Sequence, residues 1–98
     1  MTGADLKKLK RSVKAVLKNN NYQCSISIQN IDTNVTAFAN MRGAKVSWRK
    51  SEMVVFFFSE ITFQIPYVYV REFYEYNGDQ IEIVLEGRNL VSIREALF

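Results

Sequence analysis

Lys7, Arg11, Lys14 and Lys18 recur at spacings of 4, 3 and 4. On a helix those spacings hold the four cations within roughly 60° of one another and string them along about 16 Å. Such a ridge follows a nucleic-acid backbone, each cation displacing condensed counterions from a phosphate. Lys8 and Lys10 flank it, and Asp5 is the one acid close by. The plainer reading is a solvated face, because an amphipathic helix turns something polar outward and lysine is a good helix former. Six cations against one acid, with no Glu–Lys pair four residues apart, is more lopsided than solubility alone requires.

A second set lies in the other half of the chain. If Val68, Val70 and Tyr74 share a core side with Ile81, Ile83 and Leu85, strand alternation puts Tyr67, Tyr69, Arg71 and Phe73 on the opposite side, beside Gln80, Glu82, Val84 and Glu86. Tyrosine and arginine ringed by charge suit the centre of a protein interface. Aromatic side chains on a sheet also stack nucleotide bases, but the neighbouring carboxylates repel phosphate and favour a protein partner or a basic one. The candidate partner-binding residues are therefore Tyr67, Tyr69, Arg71, Phe73, Glu82 and Glu86, and Lys7, Arg11, Lys14 and Lys18 are the candidate polyanion-binding residues. The bland alternative is that the tyrosines simply finish a β surface.

Little else in the chain carries chemistry. There is no histidine and one cysteine, Cys24, which sits on the inward parity of its strand with no base to activate it. Glu72, Glu75, Asp79, Glu82 and Glu86 lack the spacing of a calcium loop and scatter over both strand faces. The four glycines build no phosphate loop. No catalytic residue, metal site or cofactor is expected, and the chain reads as a binding protein, not an enzyme.

The elements that must position these residues are legible from period and punctuation. Thr2 and Asp5 have capping-box spacing, and Leu6, Leu9, Val13, Val16 and Leu17 then fall on one arc of a helix over residues 3–19. Asn19-Asn20-Asn21 ends it. Tyr22, Cys24, Ile26 and Ile28 then alternate with polar residues, changing the period to 2. Strands are expected at about 22–29, 35–40, 44–49, 53–58, 61–65, 67–76, 79–86 and 90–94, with Pro66 marking an edge or a bend. Asn77-Gly78 predicts a two-residue type I′ hairpin, which sets Tyr76 opposite Asp79, Tyr74 opposite Ile81 and Phe73 opposite Glu82. The expected fold is α+β: one domain over residues 1–98, with an N-terminal amphipathic helix on a single antiparallel sheet of about six strands.

Met53 to Phe58 is apolar on both parities, unlike a strand with one wet face. Its second face is covered by sheet curvature, by a partner or by a second copy in a homodimer. It is also the longest apolar run, too short to cross a membrane. The basic N-terminus has no apolar stretch behind it, and a lone cysteine fits a reducing compartment, so a cytoplasmic protein is expected. Asn34-Val35-Thr36 then matches the glycosylation pattern by chance.

Charge divides along the chain. Residues 1–50 carry ten Lys/Arg against two acids, net +8, and residues 51–98 carry three against eight, net −5. A bipolar surface orients its partners. The function expected is engagement of a protein or nucleoprotein complex. Inhibitors of host defence from phages and mobile elements, anti-CRISPR proteins among them, are an analogy in size and charge, with no motif behind it. The alternatives are sequence-nonspecific nucleic-acid binding through the helix, or an assembly role.

Overall fold

The computed structural model describes residues 1–57 and 61–96. Phe58, with which the strand expected over 53–58 ends, Ser59, Glu60, Leu97 and Phe98 lie outside the described residues.

Helix α1 spans Gly3–Asn19. Thr2 Oγ1 accepts the Asp5 N–H at 3.1 Å, and the Asp5 carboxylate accepts the Thr2 N–H at 3.4 Å, closing the capping box. Hydrogen bonding to Thr2, side chain first and then backbone, holds the Asp5 carboxyl below its ordinary value. Leu9, Val13, Val16 and Leu17 are buried, as the stripe requires. The helix ends where the Asn20 N–H returns to the Val16 carbonyl and Asn21 and Tyr22 take left-handed φ of 54° and 60°.

Among the described residues eight strands follow: β1 Gln23–Asn30, β2 Thr36–Arg42, β3 Lys45–Trp48, β4 Glu52–Phe57, β5 Ile61–Pro66, β6 Val70–Tyr76, β7 Gln80–Leu85 and β8 Asn89–Glu95. They form two sheets, not the expected single sheet of about six strands. One sheet has the order β2-β1-β8-β7-β6 and the other β3-β4-β5. The division falls where strand geometry is interrupted. Gly43, at φ 67°, separates β2 from β3, and after Pro66 the chain turns through a 3₁₀ segment, Tyr67–Tyr69, before β6 begins. The α+β class stands. The expected strand over 67–76 therefore loses its first three residues to the turn.

One face of the five-stranded sheet carries Cys24, Ile26, Ile81, Ile83, Val91 and Ile93, all at or near zero exposure. Helix α1 packs across β7 and β8. Met53 and Val55 of β4 and Ile65 of β5 join the same cluster, with Trp48 packed against it. The central apolar strand β4 is thus buried on this side. Val54, of opposite parity, is also buried, between Ser47 and Gln64 of its neighbours.

The β6–β7 hairpin departs from expectation by one residue, and the step has two causes. Asn77 and Gly78 both take positive φ, and the Asp79 N–H donates to the Tyr76 carbonyl at 3.1 Å, as a type I′ turn requires. The amides of Asn19 and Asn20, at the end of the helix, however, donate to the carbonyls of Gly78 (2.6 Å) and Asp79 (2.8 Å). Asp79 drops out of the ladder, so Tyr76 pairs with Gln80, Tyr74 with Glu82 and Phe73 with Ile83. A bulge between Val70 and Glu72 absorbs Arg71, which is how Val70 and Phe73 both reach the core side. A one-residue slip exchanges the two faces of a strand.

Two substitution pairs test these placements by chemical denaturation. Val13→Asp buries an unpaired charge and costs about 3 kcal/mol or more, whereas Lys14→Glu stays within about 0.5 kcal/mol. Equal losses would contradict the helix orientation. Gly78→Ala puts a methyl at φ 74° and 3.0 Å from Asn19 Nδ2, and costs about 1 kcal/mol or more, while Gly3→Ala, with nothing within 4 Å, is neutral or stabilising. A neutral Gly78→Ala would contradict the pinned turn.

Candidate binding surface

Among the described residues the core cluster lies on the inner face, and the outer face of the five-stranded sheet is left to its own side chains. Residues directly opposed across adjacent strands share a face, so the registers define rows across all five. One row reads Tyr74, Glu82, Ser92, Ser27, Phe38. The next reads Glu72, Val84, Leu90, Gln29, Thr36. Aromatic side chains stand at the two edges, with Phe38 50 % exposed, Tyr74 45 % and Tyr76 44 %. Small hydroxyls floor the middle. At about 4.8 Å per strand, Tyr74 and Phe38 are about 19 Å apart.

The β6–β7 part of this face is acidic and ordered by hydrogen bonds. Hydrogen bonding to Glu72 is the main reason the Tyr74 hydroxyl titrates above an ordinary tyrosine. Tyr76 Oη donates to Glu82 Oε2 at 3.5 Å, and Gln80 Nε2 bridges Glu82 Oε1 at 3.4 Å and Ser92 Oγ at 3.5 Å. These bonds hold two carboxylates beside two exposed phenol rings. Arg94 and Arg42 have the same outward parity on β8 and β2, so the face grades from acidic at one edge to basic toward the other.

The six residues expected to form one surface are divided among three places. Glu82 alone lies on the outer face. Phe73 points inward and packs against the core, the reverse of its expected side, because the bulge and the slipped register change parity. Tyr67 sits in the 3₁₀ turn, packs against the core and donates its hydroxyl to the Arg49 carbonyl at 2.7 Å. Tyr69, Arg71 and Glu86 gather at the bulge: the Glu86 N–H donates to the Tyr69 carbonyl at 2.8 Å, and the Arg71–Glu86 ion pair measures 2.7 Å. Both partners of that pair are more than half exposed, which limits it to about 0–1 kcal/mol. Glu72, Tyr74, Tyr76 and Phe38 take the place of the residues that left. The alternation of Glu72, Tyr74 and Tyr76 was visible in the sequence; the parity that turns it outward was not.

The basic ridge lies on the other layer. Lys7, Arg11, Lys14 and Lys18 are all exposed, on the side of α1 away from its buried stripe. Among the described residues no ion pair joins any of the four to an acid. Lys10, which flanks the ridge, sits over the Trp48 ring, 5.8 Å from its centroid, a cation–π contact. Cys24 is fully buried, and desolvation pushes its thiol up to about 11 against a weaker opposing hydrogen bond from Asn20. It stays protonated and acts as a small apolar side chain. Among the described residues no three His, Cys, Asp or Glu side chains converge as a metal site, and no helix is long and apolar enough to cross a membrane.

Tyr74 gives this geometry a direct readout. Its raised folded value means that the neutral phenol is favoured, so the bond to Glu72 is present at neutral pH and lost as pH rises through that value. Spectrophotometric titration of the parent against Tyr74→Phe is expected to assign a late-titrating phenol to Tyr74, and Glu72→Gln to bring it down toward the ordinary range. An unchanged profile in Glu72→Gln would separate the two side chains.

No protein-family model, curated protein or solved structure matches this chain, so the reading of its surfaces rests on their own chemistry.

Proposed function

We propose that this is a non-enzymatic binding protein that docks on a basic region of a protein or nucleoprotein complex through the outer face of the five-stranded sheet. The observation that carries the reading is a sheet face open to solvent in which Tyr74 and Tyr76 stand exposed, each beside a carboxylate. Exposed tyrosines supply large contact area at low entropic cost. Glu72 and Glu82 supply the complementary charge that steers a basic partner and excludes an acidic one. Binding of this kind acts by occupancy, as small inhibitors from phages and mobile elements do when they fill the basic channel of a nucleoprotein machine.

A second reading has its own observation. Four exposed cations in line on α1, with no acid paired to them among the described residues, suit contact with a phosphate backbone. The two readings use opposite layers of the protein, and this makes them separable.

A photoreactive amino acid at position 74 or 76 is expected to cross-link a protein from the native host, and one at position 14 is not. For the partner so identified, Tyr76→Ala speeds dissociation by about 30-fold if this side chain is an anchor worth about 2 kcal/mol. Glu82→Lys slows association, most strongly at low salt. Cross-links from position 14 alone, together with a nucleic-acid affinity whose salt slope falls when Lys7, Arg11, Lys14 and Lys18 are neutralised, would give the function to the helix.

A further inference from the structure

Positive charge on the covering layer is not confined to the helix. From Leu6 to Ser51 the chain holds a single acid, Asp32, and that carboxylate lies at the β1–β2 turn, ion-paired with Arg88 at 2.7 Å. Strand β3 and the turn after it add Lys45 and Lys50, both exposed. Val46 and Trp48 pack against the core, so Lys45, of opposite parity, faces away from it. Among the described residues no ion pair engages either lysine. Arg49 is drawn to Glu52 at 3.7 Å and is not counted with them.

Two contacts lay β3 along the helix. The Ala44 N–H donates to the Tyr22 carbonyl at 2.7 Å, just past the helix end, and Trp48 lies under the Lys10 ammonium. The lengths agree. From Lys10 to Asn19 a helix rises about 14 Å, and from Ala44 to Trp48 a strand covers about 13 Å. Strand β3 therefore runs antiparallel to the second half of α1, with Lys45 toward the Lys18 end and Lys50 beyond Lys10. On the helix, Lys10 stands between the buried stripe and Lys7 and Lys14, so β3 borders the ridge on that flank. The opposite flank meets the acidic hairpin, where Asn19 donates to Gly78.

We propose that α1 and β3 together hold the backbone of duplex DNA without reading its sequence, with Lys7, Arg11, Lys14 and Lys18 in one row and Lys45 and Lys50 in a second. This builds on the phosphate contact of the ridge and does not depend on the outer sheet face. A membrane surface does not fit, because the apolar stripe that would enter it is buried. A protein partner fits less well. Lysine is depleted at the centre of protein interfaces, and among the described residues neither α1 nor β3 exposes a large apolar side chain as an anchor. Single strands are held by stacking on aromatic side chains, and beside this seam Tyr22, at one end, is the one exposed aromatic among the described residues. Two rows about 10 Å apart, a helix diameter, suit the two strands bordering the narrow minor groove of B-form DNA. The minor groove of duplex RNA is wide.

Fluorescence anisotropy with a short labelled DNA duplex, over a salt series, reads these contacts. Six phosphate contacts give a slope of log affinity on log salt of about −5, the same for two unrelated sequences. Lys45→Gln combined with Lys50→Gln is expected to reduce that slope by about 2 and to weaken binding about tenfold at low salt, with the melting transition in place. Neutralising the four ridge residues reduces it by about 4. A slope that falls with the ridge variant but not with the Lys45–Lys50 pair would overturn the two-row site and leave the helix reading standing. A parent with no affinity for the duplex at low salt would overturn both. Tighter binding to the single strand, or to an RNA duplex of the same sequence, would overturn the assignment to duplex DNA.

Discussion

Covering the inner face of the five-stranded sheet is the constraint from which the rest of the structure follows. Cys24, Ile26, Ile81, Ile83, Val91 and Ile93 must be taken out of water together, and a fully buried aliphatic side chain is worth about 1.5–3 kcal/mol. Five strands at about 4.8 Å make a sheet about 19 Å wide, whereas one helix is about 10 Å across. Helix α1 therefore packs mainly across β7 and β8, and the β3-β4-β5 sheet supplies further cover, with β4 lying against β2. Among the described residues the covering elements lie on one side. The other side is left to exposed tyrosines, carboxylates and part-buried serines.

The helix and its ridge were legible because both follow from local rules. Thr2 and Asp5 set the start, the buried stripe set the facing, and the facing of Lys7, Arg11, Lys14 and Lys18 came with it. The strands were legible from alternation. The hairpin face was not, because its parity depends on contacts that span the chain. Asn19 and Asn20 reach the Gly78 and Asp79 carbonyls 59 residues away, and a bulge at Arg71 reverses the alternation below them. Asn77-Gly78 announced the turn correctly, but not that Asp79 would leave the ladder. One residue of slip was enough to send Phe73 inward and Tyr74 outward. The division into two sheets was hidden for a related reason, since Gly43 and the turn after Pro66 read equally well as loops within one sheet.

Charge division along the sequence becomes division between layers. Lys7, Arg11, Lys14 and Lys18 of the first half sit on α1, and Glu72 and Glu82 of the second half sit on the opposite face of the sheet. The halves also meet: Asp32 and Arg88 form an ion pair at 2.7 Å beside the β1–β2 turn. The dipolar character suggested by composition is thus carried by the fold. One side carries a ridge of four cations, and the other grades from Glu72 and Glu82 at one edge toward Arg94 and Arg42.

The account stands on the outer face being open, with Tyr74, Tyr76 and Phe38 in solvent and Phe73 inside. Nuclear magnetic resonance with a soluble paramagnetic agent reads this residue by residue. The account predicts strong relaxation enhancement at the rings of Tyr74, Tyr76 and Phe38, and protection of Phe73, Ile83 and Ile93. Enhancement at Phe73 with protection of Tyr74 would restore the two-residue hairpin register and contradict the face on which the functional reading rests.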